Sequence, residues 1–137
     1  MWALFSIDGA SVSEDSLDIS ARIAQMKKHP GFAENVGMVL VHNGVVRSWS
    51  RKDKQRVTCL EVRPDHAKIE AIRKEFLTSK GIFDIVIEAK EGKFQPGDDL
   101  LFIIVAGDIR EHVKPVLSEL LERVKADAIT KQECIEV

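Results

Sequence analysis

Residues 92–133, GKFQPGDDLLFIIVAGDIREHVKPVLSELLERVKADAITKQE, decide how the chain is read. Pro96-Gly97-Asp98 is a turn signal. The apolar run from Leu100 to Ala106 follows it and stops at Gly107-Asp108. A short apolar run between turn residues predicts a buried strand. Asp108 is a good helix N-cap, and Glu111 three residues on completes a capping box. Val113, Val116, Leu117, Leu120, Leu121 and Val124 then recur at helical spacing and form one apolar stripe. The helix is expected to end near Ala126-Asp127 and to lead into a lysine-bearing tail.

Upstream, Trp2 to Ile7 reads as a strand and Ser13 to Lys28 as a helix, capped by Ser13 or Ser16 and closed by His29-Pro30-Gly31. Gly37 to Arg47 is a strand pair or one bent strand, with Asn43-Gly44 as turn or bulge. Ser48 to Gln55 is a polar, basic loop expected to be mobile. Arg56 to Val62 is a strand with Val57 and Cys59 on one face and Leu60 and Val62 on the other. Pro64 stands where the first position of a helix is expected, and Gly81 where its C-cap is expected. Ile82 to Glu88 is a strand with Ile85 and Ile87 facing one way. Residues 129–137 can add a last short strand. Three helices and five or six strands in this order predict α+β, a largely antiparallel sheet with about three helices packed on it.

Composition narrows the function classes. The chain has 137 residues, 45% hydrophobic and 31% charged, with a formal net charge of −2. That length suits one domain, residues 1–137, with a real core. The charge gives no reason to expect nucleic acid or an anionic membrane as partner. No stretch approaches a membrane span, and Met1 to Ala10 lacks the basic segment of a signal peptide. A cytoplasmic setting is the default. Cys59 and Cys134 have no metal-like spacing, and Cys59 is expected as a reduced core thiol. The four histidines stand in no hydrolase context, no cluster has metal-ligand spacing, and neither a dinucleotide nor a P-loop glycine motif is present.

What remains is cationic. Arg47 follows a strand, Arg110 lies in the first turn of a helix, Lys125 lies in its last turn, and Lys131 is on the tail. An arginine at a strand end and another at a helix N-terminus suit a phosphate or a planar anion. A lysine near other cations can have a depressed pKa and act as base or nucleophile. Each position alone also has an ordinary structural reading, and the sequence does not show that the four converge.

The order of these features resembles the catalytic (large) subunit family of molybdopterin synthase. The resemblance rests on residues 92–133 and on GMVLVHNGVVR, residues 37–47, and covers about residues 36–134. It implies a molybdopterin synthase large-subunit-like α+β fold of the α/β hammerhead type, and a homodimer. Two small ubiquitin-like sulfur-carrier subunits would complete a heterotetramer, each placing a thiocarboxylated C-terminal tail in an active site. Sulfur would pass to cyclic pyranopterin monophosphate to form the molybdopterin dithiolene, with no cofactor beyond these reactants. By position, Lys125 and Lys131 match the catalytic lysines flanking the tail, with Lys125 as acid/base or transient acyl acceptor. Arg47 and Arg110 match substrate-binding arginines, Arg110 lent across the dimer interface, and Glu133 matches the acid after the second lysine. The chain departs from the family pattern in four places. Ile109 replaces a histidine, Ala89-Lys90 a His-Arg pair and Arg63 a tyrosine, and Ala128-Ile129-Thr130 stands in place of Pro-x-Trp. These departures motivate an alternative reading, a non-catalytic module on the same fold that holds a small ubiquitin-like protein or an anionic pterin.

Overall fold

Leu100 to Ala106 forms the centre of the molecule in the computed structural model, which describes residues 18–137. The run is the body of a strand, β5 (Asp99–Gly107), flanked on both sides by antiparallel neighbours, β1 (Met38–Val45) and β3 (Ile82–Ala89). A central strand covered on both faces needs no polar alternation, which is why the sequence there is continuously apolar. Leu101, Ile103 and Val105 face one core, and Phe102, Ile104 and Ala106 face a second.

Helix α1 (Ile19–Lys27) covers the second core with Ile19, Ile23 and Met26, and a single helical turn, α2 (Phe32–Asn35), leads from it to β1. The first core lies under α3 (His66–Leu77) and α4 (Arg110–Arg123). It is closed by a second antiparallel sheet of β4 (Gly92–Phe94), β2 (Val57–Pro64) and β6 (Ile129–Ile135), with β2 in the middle. A π-helical turn, Val124–Ala128, joins α4 to β6. The α+β expectation holds, with antiparallel pairing throughout and the strands divided into two three-stranded sheets. No helix among the described residues is long and apolar enough to cross a membrane.

Several local expectations change. The strand expected over Trp2 to Ile7 and the caps Ser13 and Ser16 lie outside the described residues. Asp18 caps α1, its carboxylate accepting from the Ala21 N–H at 3.0 Å. Residues 37–47 give one strand, with a bulge at Gly44/Val45 and no turn. Pro64 ends β2 and does not begin α3. Asp65 intervenes and caps that helix, accepting from the Lys68 N–H at 3.1 Å. Helix α3 ends at Thr78, and Gly81 comes three residues later at a φ of 78°. Val57 turns to the core with Leu60 and Val62, because a register shift between Val57 and Cys59 breaks the two-residue alternation.

The capping box at α4 does not form. Ile109 is the N-cap and offers no side-chain bond. The Asp108 carboxylate instead accepts from the Ile109 N–H at 2.6 Å and lies 2.8 Å from His112 Nδ1. His112, one turn along, thus competes for the oxygen that would have capped the helix. Gly107 is required at the same corner. A Cβ there would stand 2.6 Å from Val113 Cγ2 and 2.5 Å from the Gly81 carbonyl oxygen, so only glycine lets β5 run this close to α4 and β3.

Cys59 is not a reduced core thiol. It faces Cys134 across the β2–β6 ladder with Cα atoms 4.9 Å apart, and the two are joined as a disulfide. Both are half-buried on the face of the sheet away from Leu60 and Val62. Alternation with apolar residues suggested a core position for Cys59, but it lies on the opposite face, and its partner is 75 residues away and became visible only once β6 had been placed.

Candidate active site

The end of β1 is fixed before any functional side chain is placed. The Val46 N–H donates to the Asp98 carbonyl at 2.9 Å, and the Gly97 N–H donates back to the Val46 carbonyl at 2.9 Å. Gly97 adopts a φ of 97°, which the tight turn at Pro96-Gly97-Asp98 demands. Arg47 follows directly. Its Nε donates to the Trp49 carbonyl at 3.3 Å, and its guanidinium lies 5.0 Å from the centre of the Trp49 ring. Lys54 Nζ approaches the same ring at 5.5 Å. The segment expected as a mobile loop is here a hydrogen-bonded hairpin: Trp49 bridges Arg56, and the Ser50 N–H donates to the Gln55 carbonyl at 2.8 Å.

Lys131 and Glu133 come from β6, whose alternate residues share a face. In register they stand opposite Val62 and Leu60, the two core-facing residues of β2. Directly opposed residues on antiparallel strands point the same way. The charged pair therefore occupies the inward face of an edge strand, which an apolar residue would ordinarily fill. The core is open at that end, and the opening is a cleft of about 270 Å³.

Lys125 reaches the same cleft from the π-helical turn. Val124 and Ala128 anchor that turn in the core, leaving Lys125 exposed at the rim. The floor is apolar, with Val46, Val57, Leu60 and Leu101. The rim carries Arg47, Lys125, Lys131 and Glu133. Three cations thus face one carboxylate. Glu133 Oε2 lies 3.9 Å from Arg47 Nη2, a loose contact that leaves positive charge uncompensated. Partial burial lowers the Lys131 pKa below the ordinary lysine value. Lys125 and Arg47 lower it further, and Glu133 opposes them. The arrangement suits an anionic ligand with a flat apolar part, and it places two amines beside it.

Arg110 is elsewhere. It begins α4, fifteen residues before Lys125, which at 1.5 Å per residue is about 20 Å along the helix. Its side chain is exposed, with Glu111 Oε2 at 4.0 Å. Within one chain, four of the five residues singled out in the sequence meet and Arg110 does not join them. Three further residues at this end were not assigned to the site from the sequence, which reads Gly44 as part of a turn or bulge and His42 as structural or surface. Trp49 provides the surface on which Arg47 rests, Gly44 forms part of the cleft wall, and His42 stands beside Gly44. A histidine interrupting the valine-rich run of β1 was the available signal for the last.

A model of the MoaE protein family matches residues 12–127. The chain belongs to this family, that of the molybdopterin synthase large subunit. Solved structures similar to this MoaE family member agree. The molybdopterin synthase of Staphylococcus aureus superposes with a TM-score of 0.64 at 25% identity, covering 74% of this chain and 76% of that one. The molybdopterin cofactor biosynthesis protein E of Burkholderia multivorans ATCC 17616 has a TM-score of 0.70 at 23% identity, with 89% and 84% covered. A complex of subunits 1 and 2 of the molybdopterin-converting factor from Helicobacter pylori 26695 has a TM-score of 0.62 at 17% identity, with 86% and 80% covered. These last two likenesses bear on the fold alone. No curated protein sequence matches the chain.

Proposed function

We propose that this chain is the sulfur-transferring large subunit of a molybdopterin synthase. Family membership supports a role in molybdenum cofactor biosynthesis. The observation that carries the finer reading is the meeting of Arg47, Lys125, Lys131 and Glu133 at one cleft. The sulfur donor is the thiocarboxylated C-terminus of a small ubiquitin-like subunit. The acceptor is cyclic pyranopterin monophosphate, which receives two sulfurs as the dithiolene. A small-subunit partner fits the Helicobacter pylori complex, and we extend it to a heterotetramer built on a homodimer, in a cytoplasmic setting.

Each residue has a task that its position suits. Arg47, held beside the Trp49 ring, presents its guanidinium to a phosphate or to the pterin. Lys131 neutralises the incoming carboxyl group. Its lowered pKa reflects crowding among cations, and an anion entering the cleft relieves that crowding. Glu133 limits the positive charge and orients Arg47. Lys125, on an exposed and flexible side chain, acts as acid/base or as transient acceptor of the acyl group released when sulfur leaves. Arg110 reaches a cleft only from a second protomer.

The test is reconstitution of the chain with a thiocarboxylated small subunit and cyclic pyranopterin monophosphate, with molybdopterin measured as its fluorescent oxidation product. Lys125→Ala is expected to lower the rate by about a hundredfold or more, the range of a lost acid/base or nucleophile. An unchanged rate would remove Lys125 from its role. The second reading, a non-catalytic module holding the small protein or the pterin, is favoured by Ile109, 48% exposed where the family pattern has histidine. Binding of the small subunit without product would select it.

A further inference from the structure

His42 is the residue of β1 whose chemistry the cleft has not used. It lies opposite Ile103, on the face of the strand that carries Met38 and Leu40 to the core under α4. The next residue on that face is Gly44, which forms part of the cleft wall. His42 Nε2 leans over this glycine, 3.5 Å from where a Cβ on Gly44 would stand. The atom is enclosed, and among the described residues it is the one buried side-chain nitrogen or oxygen without a hydrogen-bond partner. Buried polar atoms are nearly always paired, so an unpaired one points to a partner that is held only part of the time.

The surroundings narrow that partner to one group. β5 presents Leu101 and Ile103 to this face, both apolar. Asp99, at the far end of β5, is taken up by Asn43 Nδ2 at 3.3 Å. The charge that acts on His42 is Lys125, across the cleft wall from the π-helical turn. Burial, and after it this ammonium, lowers the imidazole pKa below its ordinary 6.5, so His42 is neutral at neutral pH. With its proton on Nδ1, a neutral imidazole leaves Nε2 as an acceptor.

We propose that His42 is a positioning residue for Lys125: its Nε2 accepts a hydrogen bond from the Lys125 ammonium when that side chain folds inward over Gly44, fixing the amine against the cleft instead of in solvent. This deepens the proposed function and rests on it for the effect on turnover, though the contact itself does not. It gives the chain an imidazole beside the lysine, by a different route from the histidine absent at Ile109.

Two variants and one titration test it. His42→Phe keeps an aromatic ring of similar size and deletes the acceptor. Because it also removes an unsatisfied buried atom, its thermal midpoint is expected to hold or rise while kcat falls about tenfold, the effect of losing a hydrogen bond to a charged group. His42→Gln places an acceptor oxygen near the Nε2 position and is expected to regain most of that loss. The wild-type acid limb, where protonation of Nε2 removes the acceptor, should vanish in the glutamine variant. Independently of turnover, the His42 ring is followed by NMR from pH 4 to 8 in wild type and in Lys125→Ala. Its pKa should rise when the ammonium is removed. An unmoved titration, or wild-type kcat in His42→Phe, overturns the proposal. A wild-type protein without turnover but with the shifted titration overturns the sulfur-transfer reading and leaves the contact standing.

Discussion

Lys131 carries its charge where the protein makes that charge costly. Partial burial is the first cause, followed by Lys125 and Arg47, while Glu133 only partly compensates. The folded-state pKa is therefore below the unfolded value of 10.5. Between these two values the unfolded chain binds a proton that the folded chain does not, so this lysine makes stability rise with pH across that window. Below the window both states are protonated, and its cost to folding is constant. With the lysines labelled by 13C reductive methylation, the Lys131 resonance should titrate below the ordinary lysine value. Lys125→Ala should move it upward. A Lys131 titration unchanged in that variant would mean that the two ammonium groups do not share the cleft. Their chemistry was legible in the sequence as lysine and arginine near element ends, but their convergence was not. Lys131 and Glu133 reach the cleft because they face Leu60 and Val62 across a ladder, a relation that no local pattern encodes. Arg47 was legible as a cation at a strand end, but its contact with Trp49 two residues on was not, since that contact depends on the hairpin that follows.

Elements with a strong local period were the readable ones. β5 is a continuous apolar run, and the stripe of α4 recurs every three to four residues, so both appear where the sequence puts them. Boundaries moved where a tertiary partner outbid a local signal. Asp108 turned to His112 instead of capping α4, and the bulge beside Cys59 reversed the facing of Val57. β6 was read only as an optional strand because Lys131, Gln132 and Glu133 interrupt its β-compatible residues. The ladder to β2 supplies the backbone bonds that its own sequence does not promise. The disulfide then ties this strand, which carries two of the rim residues, to β2 across 75 residues of sequence. Closing so long a loop restricts the unfolded chain, and a bridge of this kind typically contributes about 2–4 kcal/mol. Urea unfolding with and without reductant should show a loss of that size. A Cys59→Ser, Cys134→Ser double variant should match the reduced protein and ignore reductant. Equal midpoints for oxidised and reduced wild type would show that the β2–β6 ladder holds without it.

At the scale of the whole molecule, the cleft is the place where two sheets and the end of α4 fail to close over the core. Arg110 does not line the cleft of its own chain. About 20 Å of helix separates it from Lys125, and no rearrangement of side chains spans that distance. If it serves catalysis, it serves the cleft of a second copy, and a two-fold dimer exchanges the contribution in both directions. Subunit mixing separates this arrangement from a site made within one chain. Arg110→Ala and Lys125→Ala homodimers should each be nearly inactive in the sulfur-transfer assay. After the two proteins exchange subunits in equal amounts, half of the dimers are mixed. In each mixed dimer one cleft combines both substitutions, while the other has the intact Lys125 of one chain and the intact Arg110 of the other. About one quarter of all clefts are then complete, and activity should recover to about that fraction of wild type. Recovery requires that the arginine and the lysine of one cleft come from different chains. If exchange is verified by mass-tagged subunits and no activity returns, Arg110 does not serve the cleft of a second copy, and an Arg110→Ala homodimer that is active before exchange would remove Arg110 from the site altogether.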